Sequence, residues 1–203
     1  VADIRVRLFG DPSVEIAEEP VRFASRAATS LLAFLLLGGP RRVSRSLITG
    51  TFWPDMPEMK ARRRLSQALW QITSTLGDRA QVLEAEREHI EVIGSDTWVD
   101  VWAFDQCLEQ VRSHPEDDHY FALRDAAALV SGELCDGVSD DWLVAWRERY
   151  RERFAYLLSE LVQAHKARAD LDEALDVARR VVELNEFAEE PHREVMRLLH
   201  LLG

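Results

Sequence analysis

The chain has 203 residues, a formal net charge of -11 and two cysteines, Cys107 and Cys135, with no CxxC spacing. That length holds two ordinary domains with real cores, and the cysteine count excludes a disulfide scaffold and points to a reducing compartment. The charge is unevenly spread: residues 100–203 carry 12 Lys/Arg against 23 Asp/Glu, whereas residues 22–79 carry 10 against 3, so a basic module is joined to an acidic one.

In chain order, Ile4 to Phe9 alternates apolar and polar side chains. Gly10-Asp11-Pro12-Ser13 is a turn into Val14-Glu15-Ile16, so two short strands open the chain. Ser25 is placed to cap a helix through Ala28, Leu31, Leu32, Leu35 and Leu36, ended by Gly38-Gly39-Pro40. Its apolar run, Leu31 to Leu37, is too short to cross a bilayer, and no charged-then-apolar leader precedes it. The expected location is the cytoplasm, with no membrane contact. Since Val1 is not a methionine and the chain stops where a helix would turn back, an excerpt of a longer polypeptide is expected. Ser44 is placed to cap a second helix through Phe52, and Trp53-Pro54-Asp55 breaks the chain again.

The stretch Asp55 to Gly77 reads as one amphipathic helix, with Asp55 as N-cap and Glu58 completing a capping-box variant. Ala61, Leu65, Leu69, Ile72 and Leu76 fall on one face, and Arg63, Gln67, Trp70 and Ser74 on the other. One stripe holds the helix to its domain, while the other offers guanidinium, amide, indole and hydroxyl groups to a groove of double-stranded DNA. Lys60, Arg62 and Arg64 on the helix edges, and Arg41, Arg42 and Arg45 before and at the start of the second helix, are the expected phosphate contacts. Val82-Leu83-Glu84 and His89 to Val92 then read as a hairpin. Strands, three helices and a hairpin make a winged helix, in which the third helix enters the major groove.

From Asp100 the period is helical. Asp100 is expected to cap a helix with Val101, Phe104, Leu108 and Val111 inward, and others are expected over about 117–130, 140–165, 171–184 and 191–202. Leu158, Leu161, Ala174 and Ala178 fall where a tetratricopeptide unit has apolar or small residues. The predicted fold is therefore mainly α with small β elements: a winged helix-turn-helix domain over 1–98, then an all-α tetratricopeptide-like domain over 99–203. Trp98, Val99, Val101, Trp102 and Phe104 crowd the joint without a Gly/Ser/Pro linker, which predicts packing there, and Trp142 and Trp146 are read as further packing residues.

The blocks Leu31–Leu37, Val43-Ser44-Arg45, Phe52-Trp53-Pro54-Asp55, Ala61-Arg62 through Leu65 to Leu76-Gly77, and Val99-Asp100-Val101 with Ala103-Phe104 resemble the Streptomyces antibiotic regulatory protein family of bacterial transcription activators. The resemblance implies an OmpR-type winged helix followed by a bacterial transcriptional activator domain, as the N-terminal part of a larger signal-responsive regulator. It also implies binding as a homodimer on direct repeats, and RNA polymerase is an expected partner of the acidic helical half. Members typically carry arginines late in the third helix; here Gln71, Thr73 and Ser74 stand at those positions.

No Gly-x-x-x-x-Gly-Lys-Ser/Thr loop occurs, so nucleotide hydrolysis is not expected. The run His114 to His119 holds two imidazoles and three carboxylates, but at an interhelix turn where acids cap the next helix. No catalytic residue, metal or cofactor is expected. The function expected is that of a DNA-binding transcriptional activator. Its rival is an interaction adaptor whose winged helix has lost DNA affinity and whose acidic helical half engages RNA polymerase or the rest of a longer chain.

Overall fold

A computed structural model describes residues 4–77, 82–93 and 97–203. Among these, the order is β1 (Ile4–Arg7), β2 (Ser13–Ile16), β3 (Glu19–Val21), α1 (Arg26–Leu37), β4 (Arg42–Ser44), α2 (Arg45–Phe52), α3 (Glu58–Leu76), β5 (Leu83–Ala85), β6 (His89–Val92), β7 (Thr97–Val99), α4 (Asp100–Ser113), α5 (Tyr120–Leu129), α6 (Trp142–Ala167), α7 (Leu171–Leu184) and α8 (Glu189–Leu202). The fold is mainly helical with two small sheets, a winged helix followed by tetratricopeptide-like helices. Packing divides the described residues into two compact units. One holds the residues up to Ala103 together with Ser131–Trp146; the other holds Phe104–Val130 and Arg147–Gly203.

In the first unit, β1 and β2 pair antiparallel, Val6 opposite Val14, around a turn in which Gly10 takes a positive φ of 83°. β3 returns on β2 through Ala17-Glu18, both at positive φ, the two-residue turn whose twist suits a hairpin. β7 completes the sheet in parallel with β1, Ile4 opposite Thr97, giving the order β3-β2-β1-β7. α1 is buried almost all round because seven of its residues form one apolar run, so it is the central helix of this unit. Ser25 caps it, its hydroxyl accepting from the Ala28 amide at 3.3 Å, and Gly38 ends it. Leu31, Leu35, Ile48, Leu65, Ile72 and Ile90 make a core fully closed to solvent.

Residues 131–146 are bound into this unit by backbone. Cys135 donates its amide to the Leu8 carbonyl, Gly10 to the Glu133 carbonyl, and the Ser131 hydroxyl to the Phe9 carbonyl. Trp142 packs edge-on against Phe34, with ring centroids 5.2 Å apart. Asp100, only 1% exposed, fixes the end of β1: its carboxylate accepts from the amides of Leu8 (2.8 Å), Phe9 (2.9 Å) and Val101 (2.7 Å). Desolvation nevertheless raises its pKa to about 6, the three amides opposing that shift. Trp102 donates its indole N–H to the Leu36 carbonyl at 2.7 Å, at the open end of α1.

The second unit buries Leu108, Leu157, Leu158, Leu161, Val162, Ala174, Ala178 and Leu198. Asp105 is held by Arg153 at 2.9 Å and by the Tyr150 hydroxyl at 3.0 Å, and burial drives the Tyr150 phenol well above its ordinary range. His165, buried at the end of α6, faces the Asp170 carboxylate at 3.1 Å and stacks edge-on against Tyr120.

Several boundaries differ from the sequence reading. α3 begins at Glu58, with Pro57 at the cap position making no side-chain cap bond, so Asp55 is not the N-cap. Proline at 57 disfavours helical geometry at Met56, and no earlier start is open to the helix. Glu58 pairs with Arg62 at 3.0 Å instead of closing a capping box. β3, β4 and β7, each of three residues, are strands that the sequence reading does not contain. α5 starts at Tyr120 rather than near Asp117, and α8 starts at Glu189, two residues before Pro191.

Candidate nucleic-acid interface

β4, α2 and α3 are assembled by local chemistry. The Ser44 hydroxyl accepts from the Leu47 amide at 3.2 Å, starting α2 directly after β4, and α3 follows the Trp53–Pro57 break. β4 joins the β5–β6 hairpin in the order β4-β6-β5, with Val43 opposite Ile90, which makes the wing a three-stranded sheet.

α3 buries Ala61, Leu65, Ala68, Leu69, Ile72 and Leu76. Its opposite face is solvent-exposed along Lys60, Arg63, Arg64, Gln67, Trp70 and Ser74. Trp70 is 66% exposed, so in the free chain the indole faces water and does not pack beneath the wing. Arg62 is tied to Glu58. Among the described residues Lys60, Arg63 and Arg64 have no ion-pair partner, and their charge is available to a ligand.

The other predicted cations are differently placed. Arg42 bridges Glu86 at 2.5 Å and Glu91 at 3.2 Å, both on the wing. Arg45 donates its Nε to the Glu86 carbonyl at 2.9 Å and its amide to the Glu88 carbonyl at 2.9 Å. Arg41 is half-buried and lies so close to Gly38 that a Cβ there would sit 2.0 Å from the guanidinium carbon. Arg42 and Arg45 thus tie the β4–α2 corner to the wing, while the buried Nε of Arg41 has no hydrogen-bond partner among the described residues.

The uncharged late positions of α3 also have structural partners. Gln71 accepts from the Ser25 hydroxyl, linking α3 to the cap of α1, and the Thr73 hydroxyl donates back to the Leu69 carbonyl at 3.1 Å. Only Ser74 of that set is exposed. One candidate was missed: Arg87, whose side chain is 96% exposed at the bend between β5 and β6, with Glu88 3.9 Å away. Its position in the hairpin connection, residues 86–88, is the signal that could have found it. In the 114–119 run, Asp118 accepts from the Tyr120 amide at 3.1 Å and pairs with Arg168, and its pKa is lowered by that amide first. Among the described residues no cluster of metal-ligating side chains forms.

A two-helix turn with an exposed polar helix, backed by a hairpin wing and followed by a helical array, defines the class: a winged-helix protein with a tetratricopeptide-like extension. A family profile, the bacterial transcriptional activator domain, matches residues 99–203, and the chain belongs to that family of transcriptional activators. Among solved structures it is similar to Mycobacterium tuberculosis EmbR in complex with a low-affinity phosphopeptide. The TM-score is 0.62 and the identity 16%, over 98% of this chain and 65% of that one. The chain thus spans 65% of the length of that structure. No curated protein matches it. No described helix is long and apolar enough to cross a membrane.

Proposed function

We propose that the winged helix binds double-stranded DNA, with α3 in the major groove, as the DNA-reading part of a transcriptional activator. The observation that carries this reading is the exposed stripe of α3, where Arg63, Gln67, Trp70 and Ser74 stand beside Lys60 and Arg64, and the three cations are unpaired among the described residues. Arg63 and Gln67 lie one helical turn apart and reach adjacent base edges, guanidinium matching guanine and carboxamide matching adenine. Lys60 and Arg64 contact phosphates on either side, and Arg87 extends the wing to the neighbouring backbone or minor groove. RNA polymerase is the proposed partner of the acidic helical half, and two copies occupy direct repeats.

The test is titration of the chain into random-sequence duplex at two salt concentrations. With about three phosphate contacts, affinity falls roughly 40-fold between 50 and 200 mM salt, from a slope near 0.9 per contact. Absence of binding at the lower salt would favour an adaptor, a reading supported by the acidic wing residues Glu84, Glu86, Glu88 and Glu91.

A further inference from the structure

A groove of about 780 Å³ opens within the second unit, between the end of α4, the 115–119 connection and α6. Val111 and Leu123, both buried, and the half-buried Ala164 supply apolar lining. One wall is the α6 stripe Tyr156, Glu160, Gln163 and Ala167. Spacings of three and four put these on one helix face, and at 1.5 Å per residue the stripe runs about 17 Å. Alanines at 164 and 167 leave open a depression that larger side chains would fill.

Charge around this groove is unbalanced. Glu116, Asp117, Asp118 and Glu160 face Arg112 and Arg168. Arg168 is taken up by Asp118 and lies 4.2 Å from the Tyr120 ring centre, while Arg112 lies 5.2 Å from the centre of Tyr156. Glu116 and Asp117 are exposed and form no ion pair among the described residues. An apolar trough with surplus carboxylates on its rim complements a cationic, partly apolar ligand, and its length matches about five extended residues at 3.3 Å each.

We propose that this groove binds an extended basic segment of a partner protein. Apolar side chains at alternate positions lie in the trough, and the intervening arginines or lysines reach the rim at Asp117 and Glu160. Strand geometry sends successive side chains to opposite sides, so a segment alternating basic and apolar residues meets both demands at once.

The experiment measures fluorescence anisotropy of labelled Arg-Val-Arg-Val-Arg and Glu-Val-Glu-Val-Glu peptides, blocked at both ends, on the full chain. The arginine peptide is expected to bind and the glutamate peptide not. Ala164→Trp, which fills the trough, and the double variant Asp117→Asn, Glu160→Gln are each expected to weaken the arginine peptide at least tenfold. Neutralising Glu173 and Glu183, exposed acids of α7 outside the groove, is expected to leave affinity within twofold. The polar double variant keeps the test decisive if the tryptophan variant unfolds. Absence of arginine-peptide binding, an undiminished affinity in a folded Ala164→Trp or in the double variant, or an equal loss from the α7 pair would overturn the proposal, the last by reducing it to attraction toward an acidic protein.

Discussion

Two groups of cations sit a short distance apart in the chain, and they do different work. Arg41, Arg42 and Arg45 lie at the β4–α2 corner, where they meet the end of α1, Glu86 and Glu91, and the wing backbone. Lys60, Arg63 and Arg64 lie on α3 and meet no carboxylate among the described residues. Formal charge counts both groups equally, but a guanidinium already paired with two carboxylates offers little to a phosphate, since that contact would require breaking the first. Binding strength therefore follows the unspent charge, and the local excess over residues 22–79 overstates it.

The largest test of this difference removes the α3 group. Replacing Lys60, Arg63 and Arg64 by Ala is expected to lower the log-log salt slope by about two, one unit for each of the phosphate contacts of Lys60 and Arg64, and to cost ~4 kcal/mol of DNA affinity at 0.1 M salt once the base contact of Arg63 is included. Filter binding across a salt series reads both quantities. An unchanged slope would place the phosphate contacts elsewhere.

A second test asks whether such losses are local or come from a loosened scaffold. Asp100 supports the first unit without facing its exposed α3 stripe, so Asp100→Asn, which sets an amide N–H₂ against backbone donors, is expected to cost about 1–3 kcal/mol of stability near pH 7 and to leave affinity at 10 °C unchanged. Its pH dependence has a fixed sign. The folded value of about 6 exceeds the unfolded 3.8, so the native state holds the proton more tightly and this group's contribution is fully present below pH 4. As pH rises from 4 to 6 about 3 kcal/mol of it is lost, so denaturant melts should show the gap between wild type and Asp100→Asn narrowing across that window.

How much of this was legible in the chain depended on the range of the interaction. Ser25 and Ser44 as caps, the bounds of α7 and the two faces of α3 follow from periods and neighbours within a few residues, and they were readable. β7 has three residues and exists because Thr97 to Val99 pair with Ile4 to Val6 more than ninety positions away. β3 follows a turn of Ala17-Glu18, which carries neither the Asn nor the Gly that marks such turns. Its place before a helical run marks Asp100 as a helix cap, yet its main partners are the amides of Leu8 and Phe9. The internal use of Arg42 was hidden for the same reason: its carboxylates lie on the far side of α2 and α3 in sequence.

Within the α3 group, base reading should separate from phosphate contact. Gln67→Ala removes a carboxamide but no charge, so it is expected to leave the salt slope unchanged and to cost about 1–3 kcal/mol at a single base position. Selection from a randomised duplex pool, run in parallel for wild type and variant, reveals that position as one column of the consensus losing its preference. A loss spread evenly over all positions would mean that Gln67 supports the helix and does not read bases.

The smallest expected effect is the sharpest on the comparison itself. Arg42→Ala deletes a full positive charge inside the basic module, and if all cations there acted alike the salt slope would fall by about one. Because Arg42 is committed to Glu86 and Glu91, its loss is expected to change the slope by less than a third of a unit. Both pairs are about half exposed, so the stability cost is held to roughly 0.2–1 kcal/mol. What does change is the wing, where Glu86 and Glu91 lose their counter-charge, and affinity drops modestly at low salt. Neutralising them as well, with Glu86→Gln and Glu91→Gln in the Arg42→Ala background, should restore that affinity. Such a recovery requires Arg42 to act by balancing the wing, because an arginine bound directly to phosphate could not be replaced by removing acids elsewhere.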